Sequence, residues 1–170
     1  VGYAKAAGNY AGSFYPTKKA NARGFTQVIW TDSKEHKYIE ESGTMNIWFR
    51  IDNKLITPSL SDSILSGITR DSILKLAIDA GIDVEERIVS VSEILEASKN
   101  GTLQEAFGTG TAVAVVAVKS ITLEDIKMNI PTQENPISMR FKKQLQDLQY
   151  GRSEDIFSWT SKVPSSITAF

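Results

Sequence analysis

Between residues 25 and 57 the chain offers four strand-forming runs with nothing longer than a turn between them. That spacing limits the fold more than any other feature. Residues 25–31 (FTQVIWT), 38–41, 45–51 and 55–57 are rich in β-branched and aromatic side chains. The polar turn 32–35 and the tight turn Asp52-Asn53-Lys54 punctuate them. Connections this short cannot carry a helical crossover, so the segment has to be an antiparallel meander.

The remainder alternates. Residues 11–23 are expected to be helical, with Gly24 as the stop. Thr69 opens a helix with an apolar stripe of Ile73, Leu74, Leu76, Ala77 and Ala80, and Gly81 ends it. Residues 84–89 read as a strand. Ser90 and Glu93 have capping-box spacing before a short helix that ends near Asn100-Gly101. The run 111–118 reads as a strand buried on both faces, and 121–130 as a strand or strand pair. Pro136 starts a final amphipathic helix carrying Ile137, Phe141, Leu145 and Leu148. The expected class is therefore mixed α/β, one domain for 170 residues.

Composition removes several functions. The net charge is -1 with no Lys/Arg block, so no nucleic-acid footprint is expected. There are no cysteines, which excludes disulfides and thiolate metal sites and fits a reducing compartment. No metal site is expected. No signal peptide is visible, and the longest apolar stretch falls far short of the roughly 20 residues of a membrane span.

The candidates for chemistry lie at element boundaries. Lys5 stands in a run of small residues, with Tyr10 following at the fifth position. A lysine amine is a nucleophile when its surroundings favour the neutral form; a lysine at such a position is otherwise an ordinary solvated residue. Glu40 and Glu41 adjoin an apolar strand, and read either as exposed turn residues or as a buried carboxylate pair. In the segment 64–71, Gly67 precedes a helix start, where backbone amides and Thr69 offer a phosphate cradle; the alternative is that Thr69 is a plain N-cap. In 107–112, Gly108 and Gly110 permit unusual backbone angles and an anion nest, or simply a tight turn. His36, the sole histidine, reads as a surface residue, Trp30 and Trp48 as packing residues. Arg70 reads as either a phosphate clamp or a surface ion pair.

Taken in order, AKAAGNY (4–10), YIEESGTMN (38–46), GITRDSIL (67–74), VEER (84–87) and EAFGTGTA (105–112) closely resemble the branched-chain amino acid aminotransferases of the fold-type-IV pyridoxal-phosphate enzymes. Tyr150-Gly151, Glu154-Asp155 and Trp159 resemble that family's C-terminal signature. The resemblance implies a barrel-like sheet arrangement with outer helices. It implies that Lys5 holds pyridoxal 5'-phosphate as a Schiff base and shuttles the reacting proton. Glu41 would pair with the pyridine nitrogen, Glu40 being solvated. Tyr10 would bond the ring 3' oxygen, and Leu65 would pack on a ring face. Gly67 lies in the phosphate turn, where the amides of Ile68 and Thr69 would bind phosphate with the Thr111 hydroxyl. The Thr111 and Ala112 amides would take the substrate carboxylate, with Thr44 near the reacting amine.

By the same resemblance the activity is transamination between leucine, isoleucine or valine and 2-oxoglutarate, by a cytoplasmic homodimer with no nucleic-acid or membrane partner. The cysteine pair that some members carry is replaced by Val113 and Val116. The expected unit is the cofactor-binding large domain over 1–170, without the family's small N-terminal domain and its phosphate-gripping arginine, and hence of weak activity in isolation. D-amino acid aminotransferases and aminodeoxychorismate lyases share the lysine, glutamate and phosphate loops and stand as alternatives, as does a fragment without catalytic competence.

Overall fold

The computed structural model describes residues 2–161 and 163. The meander forms as turn spacing requires. Strands β1 (Ile29–Thr31), β2 (Ile39–Ser42), β3 (Met45–Ile51) and β4 (Lys54–Pro58) pair antiparallel in sequence order. At the β3–β4 turn Asp52 and Asn53 take φ of 48° and 65°. Two left-handed residues in succession match the twist of a tight hairpin, and Asp and Asn tolerate them best among residues with a side chain.

Helix α3 (Ile68–Asp79) then makes a long crossover, returning the chain as β5 (Val84–Arg87) parallel to β4. Later, β6 (Leu103–Gly110) pairs with β3, and β7 (Ala114–Ala117) with β6. Strand β3 is the axis of the sheet. Asn46 lies between Glu41 of β2 and Thr109 of β6, whereas Phe49 lies between Ile56 of β4 and Ala106 of β6. Strands β2 and β4 thus share one edge of β3, and among the described residues the seven-stranded sheet forks there without closing into a barrel.

Both faces of β3 are covered, which is why its sequence is apolar almost throughout. Trp48 stacks on Phe107 at 5.9 Å and packs with Leu55 and Val115 beneath α3 and α5 (Ile137–Gln149). Ile47, Phe49 and Ile51 form the other face, against Ile94 and Ala97 of α4 (Val91–Asn100) and Met128. Met128 belongs to β9 (Ile126–Asn129), which forms a hairpin with β8 (Ser120–Leu123). Ile137, Phe141, Leu145 and Leu148 are all buried on α5, as their spacing predicts. Phe157 and Trp159 close the α3–α5 side.

Three local expectations change. The helix expected over 11–23 is two pieces, α1 (Gly8–Ala11) and α2 (Phe14–Ala22); the Ser13 amide and hydroxyl both donate to the Tyr10 carbonyl between them. The run 111–118 is not a strand buried on both faces. Residues 111–113 turn, and β7 is an edge strand with Val115 as its buried residue, because no described strand pairs with its outer side. The capping box of α4 is half formed. Ser90 Oγ accepts the Glu93 amide at 3.1 Å, while the Glu93 carboxylate turns to Arg87.

The start of α5 is held from a distance. No side chain within α5 caps it. Instead Glu105, buried on β6, accepts the amides of Ile137 (2.8 Å) and Ser138 (3.2 Å), the Ser138 hydroxyl (2.8 Å) and Arg50 Nη1 (3.3 Å). A carboxylate there satisfies orphan amides and complements the helix dipole. Among the described residues no helix is long and apolar enough to cross a membrane.

Candidate active site

Lys5 is exposed on the irregular stretch before α1. Two contacts fix that stretch. The Tyr3 amide donates to the Asp62 carbonyl at 3.2 Å, and Gly2 passes so close to the Ser63 backbone that a β-carbon would overlap it. Ser63 Oγ in turn donates to Glu40. Glu40 is therefore a half-buried, hydrogen-bonded residue rather than the solvated one expected.

Glu41, Asn46 and Thr109 stand in one row across β2, β3 and β6. Glu41 Oε1 accepts the Leu65 amide at 3.0 Å, and Asn46 Nδ2 donates to the Leu65 carbonyl at 2.8 Å. One residue of the 64–67 loop is thus held from both sides by neighbouring strands. Asn46 Oδ1 also occupies the space that a side chain at residue 67 would need, which is why glycine stands there. Gly67, not Thr69, is the N-cap of α3, with φ -72°, ψ 134° and no side-chain cap. Ile68 and Thr69 fill the first turn, where amides lack intrahelical acceptors and concentrate positive potential.

On the opposite side of β3, Thr111 and Ala112 lie exposed in the β6–β7 turn. With Lys5, Thr44, Met45 and Val113 they line an open cavity of about 1170 Å³. Gly108 and Gly110 do not adopt left-handed angles; they clear space for Met45, whose atoms lie 3.1 and 3.3 Å from where their β-carbons would be. Thr109 is buried and its Oγ1 accepts Trp48 Nε1 at 3.0 Å. Tyr10, half-buried on α1, does not line this cavity, nor do Glu41, Leu65, Gly67, Ile68 and Thr69. Lys5 joins the two groups, because it lines the cavity and its charge acts on Glu41.

Burial raises the Glu41 carboxyl above its ordinary value, and Glu40 adds to the rise; the Leu65 amide and Lys5 oppose it. Below pH 4.5, the ordinary value, the group is protonated in both the folded and unfolded chain. Above it the unfolded chain loses the proton first, so stability falls as pH rises toward the folded-state value. Glu41→Gln keeps the acceptor for Leu65 and removes this cost. In the ligand-free protein it should melt higher than wild type near neutral pH, with the gap closing below pH 4.5. A pH series of melting curves checks this; a gap independent of pH would contradict it.

Of the remaining candidates, His36 is an exposed turn residue, Trp48 is fully buried, and Trp30 Nε1 donates to the Gly43 carbonyl. Arg70 is not the surface residue of the ion-pair reading. It is 3% exposed and donates to the Pro58 carbonyl at 3.0 Å and to Glu86 at 2.6 Å. The clamp formed by Asn46 and the anchoring by Arg70 were missed in the sequence. The only available sign was a polar residue in phase with Trp48 and Arg50 on β3, and a charged one in phase with Ile73 on α3.

Comparison with known proteins extends these observations. The chain is 44% identical over 165 residues to a probable branched-chain-amino-acid aminotransferase of Staphylococcus epidermidis, covering 96% of this chain and 46% of that protein. It is 42% identical over 164 residues to branched-chain-amino-acid aminotransferase 2 of Bacillus subtilis, covering 96% and 45%. The chain thus spans a little under half the length of the curated relatives it matches. The structure superposes on the branched-chain amino acid aminotransferase of Escherichia coli with a TM-score of 0.75 at 31% identity, covering 94% of this chain and 50% of that one. A second branched-chain amino acid aminotransferase, solved with pyridoxamine 5'-phosphate, gives 0.74 at 28% identity, covering 89% and 46%. The family pattern of amino-transferase class IV runs through residues 3–121, from just before Lys5 to the first strand of the last hairpin. The chain belongs to the amino-transferase class IV family.

Proposed function

We propose that the full-length protein carrying this chain is a branched-chain amino acid transaminase. It moves the amino group between leucine, isoleucine or valine and 2-oxoglutarate. Residues 1–170 are its cofactor-binding large domain, and pyridoxal 5'-phosphate is the cofactor. The observation that carries this reading is the placement of Glu41 beside the loop that leads into α3, with Glu41 and Asn46 both bonded to Leu65 and Gly67 packed on Asn46. Relatives named for the same activity support it.

The residues fit the cofactor. An uncapped helix start beside a glycine with no room for a side chain suits a phosphate dianion. A carboxyl raised by burial gains most from a cationic partner, which a protonated pyridine supplies. When bound, pyridoxal 5'-phosphate supplies an aldehyde for the substrate amine and an electron-withdrawing ring.

The chain's own residues do the rest. Lys5 would hold the cofactor covalently through its amine and, when that amine is free, would carry the proton to and from the substrate Cα. Glu41 keeps the ring nitrogen protonated, Tyr10 bonds the ring hydroxyl oxygen, and Leu65 packs on a ring face. The amides of Ile68 and Thr69 hold the phosphate with the Thr111 hydroxyl, and Gly67 allows the close approach. The amides of Thr111 and Ala112 take the substrate carboxylate, and Thr44 lies by its amine. The apolar walls at Met45 and Val113 suit an aliphatic side chain. A cytoplasmic homodimer without nucleic-acid or membrane partners belongs to the same proposal; Phe14 and Tyr15, 73% and 71% exposed on α2, support a face covered in the assembly.

A substrate panel on the full-length protein tests the assignment. L-leucine, L-isoleucine and L-valine should react with 2-oxoglutarate, and D-alanine should not. Turnover of D-alanine without turnover of L-leucine would assign a different class IV activity.

A further inference from the structure

Arg70 is a buried cation that the proposed chemistry does not use. Its side chain is 3% exposed, in the first turn of α3, one residue after Thr69. Its Nη2 reaches the Pro58 carbonyl at the end of β4 and Glu86 on β5. Its guanidinium also lies 6.0 Å from the centre of the Trp48 ring, a favourable approach for a cation to an indole. Trp48 in turn donates to Thr109, two residues before Thr111. One buried chain, Arg70–Trp48–Thr109, therefore links the start of α3 to the end of β6.

These are the two elements assigned to phosphate binding, and this inference rests on that reading. We propose that Arg70 is a positioning residue. It holds the Ile68–Thr69 turn in register with the β6–β7 turn, and so sets the phosphate-dependent part of cofactor affinity without touching the phosphate. Amides bind an anion only when their directions converge, and a displaced turn loses that convergence. One end of the guanidinium, Nη2, holds both the carbonyl and the carboxylate, and the cation lies against the indole.

Arg70→Met tests this cleanly. Its partner Glu86 is 45% exposed, so the substitution strands no buried charge and keeps most of the volume. Affinities for pyridoxal 5'-phosphate and for pyridoxal, which lacks the phosphate, are measured on the full-length protein by equilibrium titration, with melting temperature as the folding control. The ratio of the two affinities should fall about tenfold or more, a loss of at least one charge-assisted contact, while pyridoxal affinity stays within error. Arg70→Lys, which keeps the charge but loses the planar guanidinium against Trp48, should fall between. A ratio unchanged in folded Arg70→Met overturns the proposal, as does an equal loss for both ligands. If Arg70→Met fails to fold, Arg70→Lys decides by the same ratio. Absence of pyridoxal 5'-phosphate binding by the wild type would instead overturn the cofactor reading itself.

Discussion

Lys5→Ala in the full-length protein is expected to reduce transamination by about 10³-fold or more while leaving the fold intact. The size follows from losing a general base worth roughly 10²–10⁴ together with covalent attachment of the cofactor. The fold is spared because Lys5 is exposed and belongs to no helix or strand. The Glu41 carboxylate and the turn proposed to hold the phosphate remain, so the cofactor should still bind, non-covalently. Loss of the visible band of lysine-bound cofactor, with retained cofactor after desalting and an unchanged melting temperature, would separate a chemical role from a structural one. Activity within tenfold of wild type would remove Lys5 from the mechanism.

The largest effect on stability is expected at Glu105, which does not line the cavity. Glu105→Ala leaves Arg50 without its buried partner and the amides of Ile137 and Ser138 without acceptors. Breaking a buried, hydrogen-bonded charge in this way costs about 3–5 kcal/mol, a large share of the roughly 5–15 kcal/mol that holds a domain together. Glu105→Gln keeps the shape but sets an amide against a donor, and should cost about 1–3 kcal/mol. Denaturant unfolding at constant slope measures both. A loss below about 1 kcal/mol for the alanine variant would mean that α5 does not depend on this distant cap.

The fold was legible wherever local pattern and tertiary outcome agree. Strand β3 was bounded correctly because seven successive residues between turns, Met45–Ile51, allow little else. The four buried α5 positions followed from helical spacing. The exposed edge of β7 was not legible, since Ala-Val repeats look alike whether covered on two faces or one. Nor was the forked sheet, because the sharing of one β3 edge by β2 and β4 is a non-local choice.

The site divides in the same way. That Gly67 stands directly before a helix start could be read from the sequence, because glycine before a helix has a local meaning. The reason for that glycine, the Asn46 amide packed against it, comes from 21 positions upstream (67 minus 46) and leaves no local trace. The glycines of the 107–112 segment illustrate the converse. Read locally they promise unusual backbone angles; in the fold they are ordinary strand residues that make room for Met45. Likewise Glu40 and Glu41 are adjacent and chemically identical. What separates them is that Glu40 meets a serine hydroxyl, whereas Glu41 meets a backbone amide beside an uncapped helix.

The claim on which the functional reading depends is that Lys5 is the lysine that binds the cofactor. The direct measurement is borohydride reduction of the full-length protein loaded with pyridoxal 5'-phosphate, followed by peptide mapping of the modified lysine by mass. A single pyridoxyl adduct on Lys5 is the predicted result; an adduct on a different lysine, or none after confirmed loading, would contradict it.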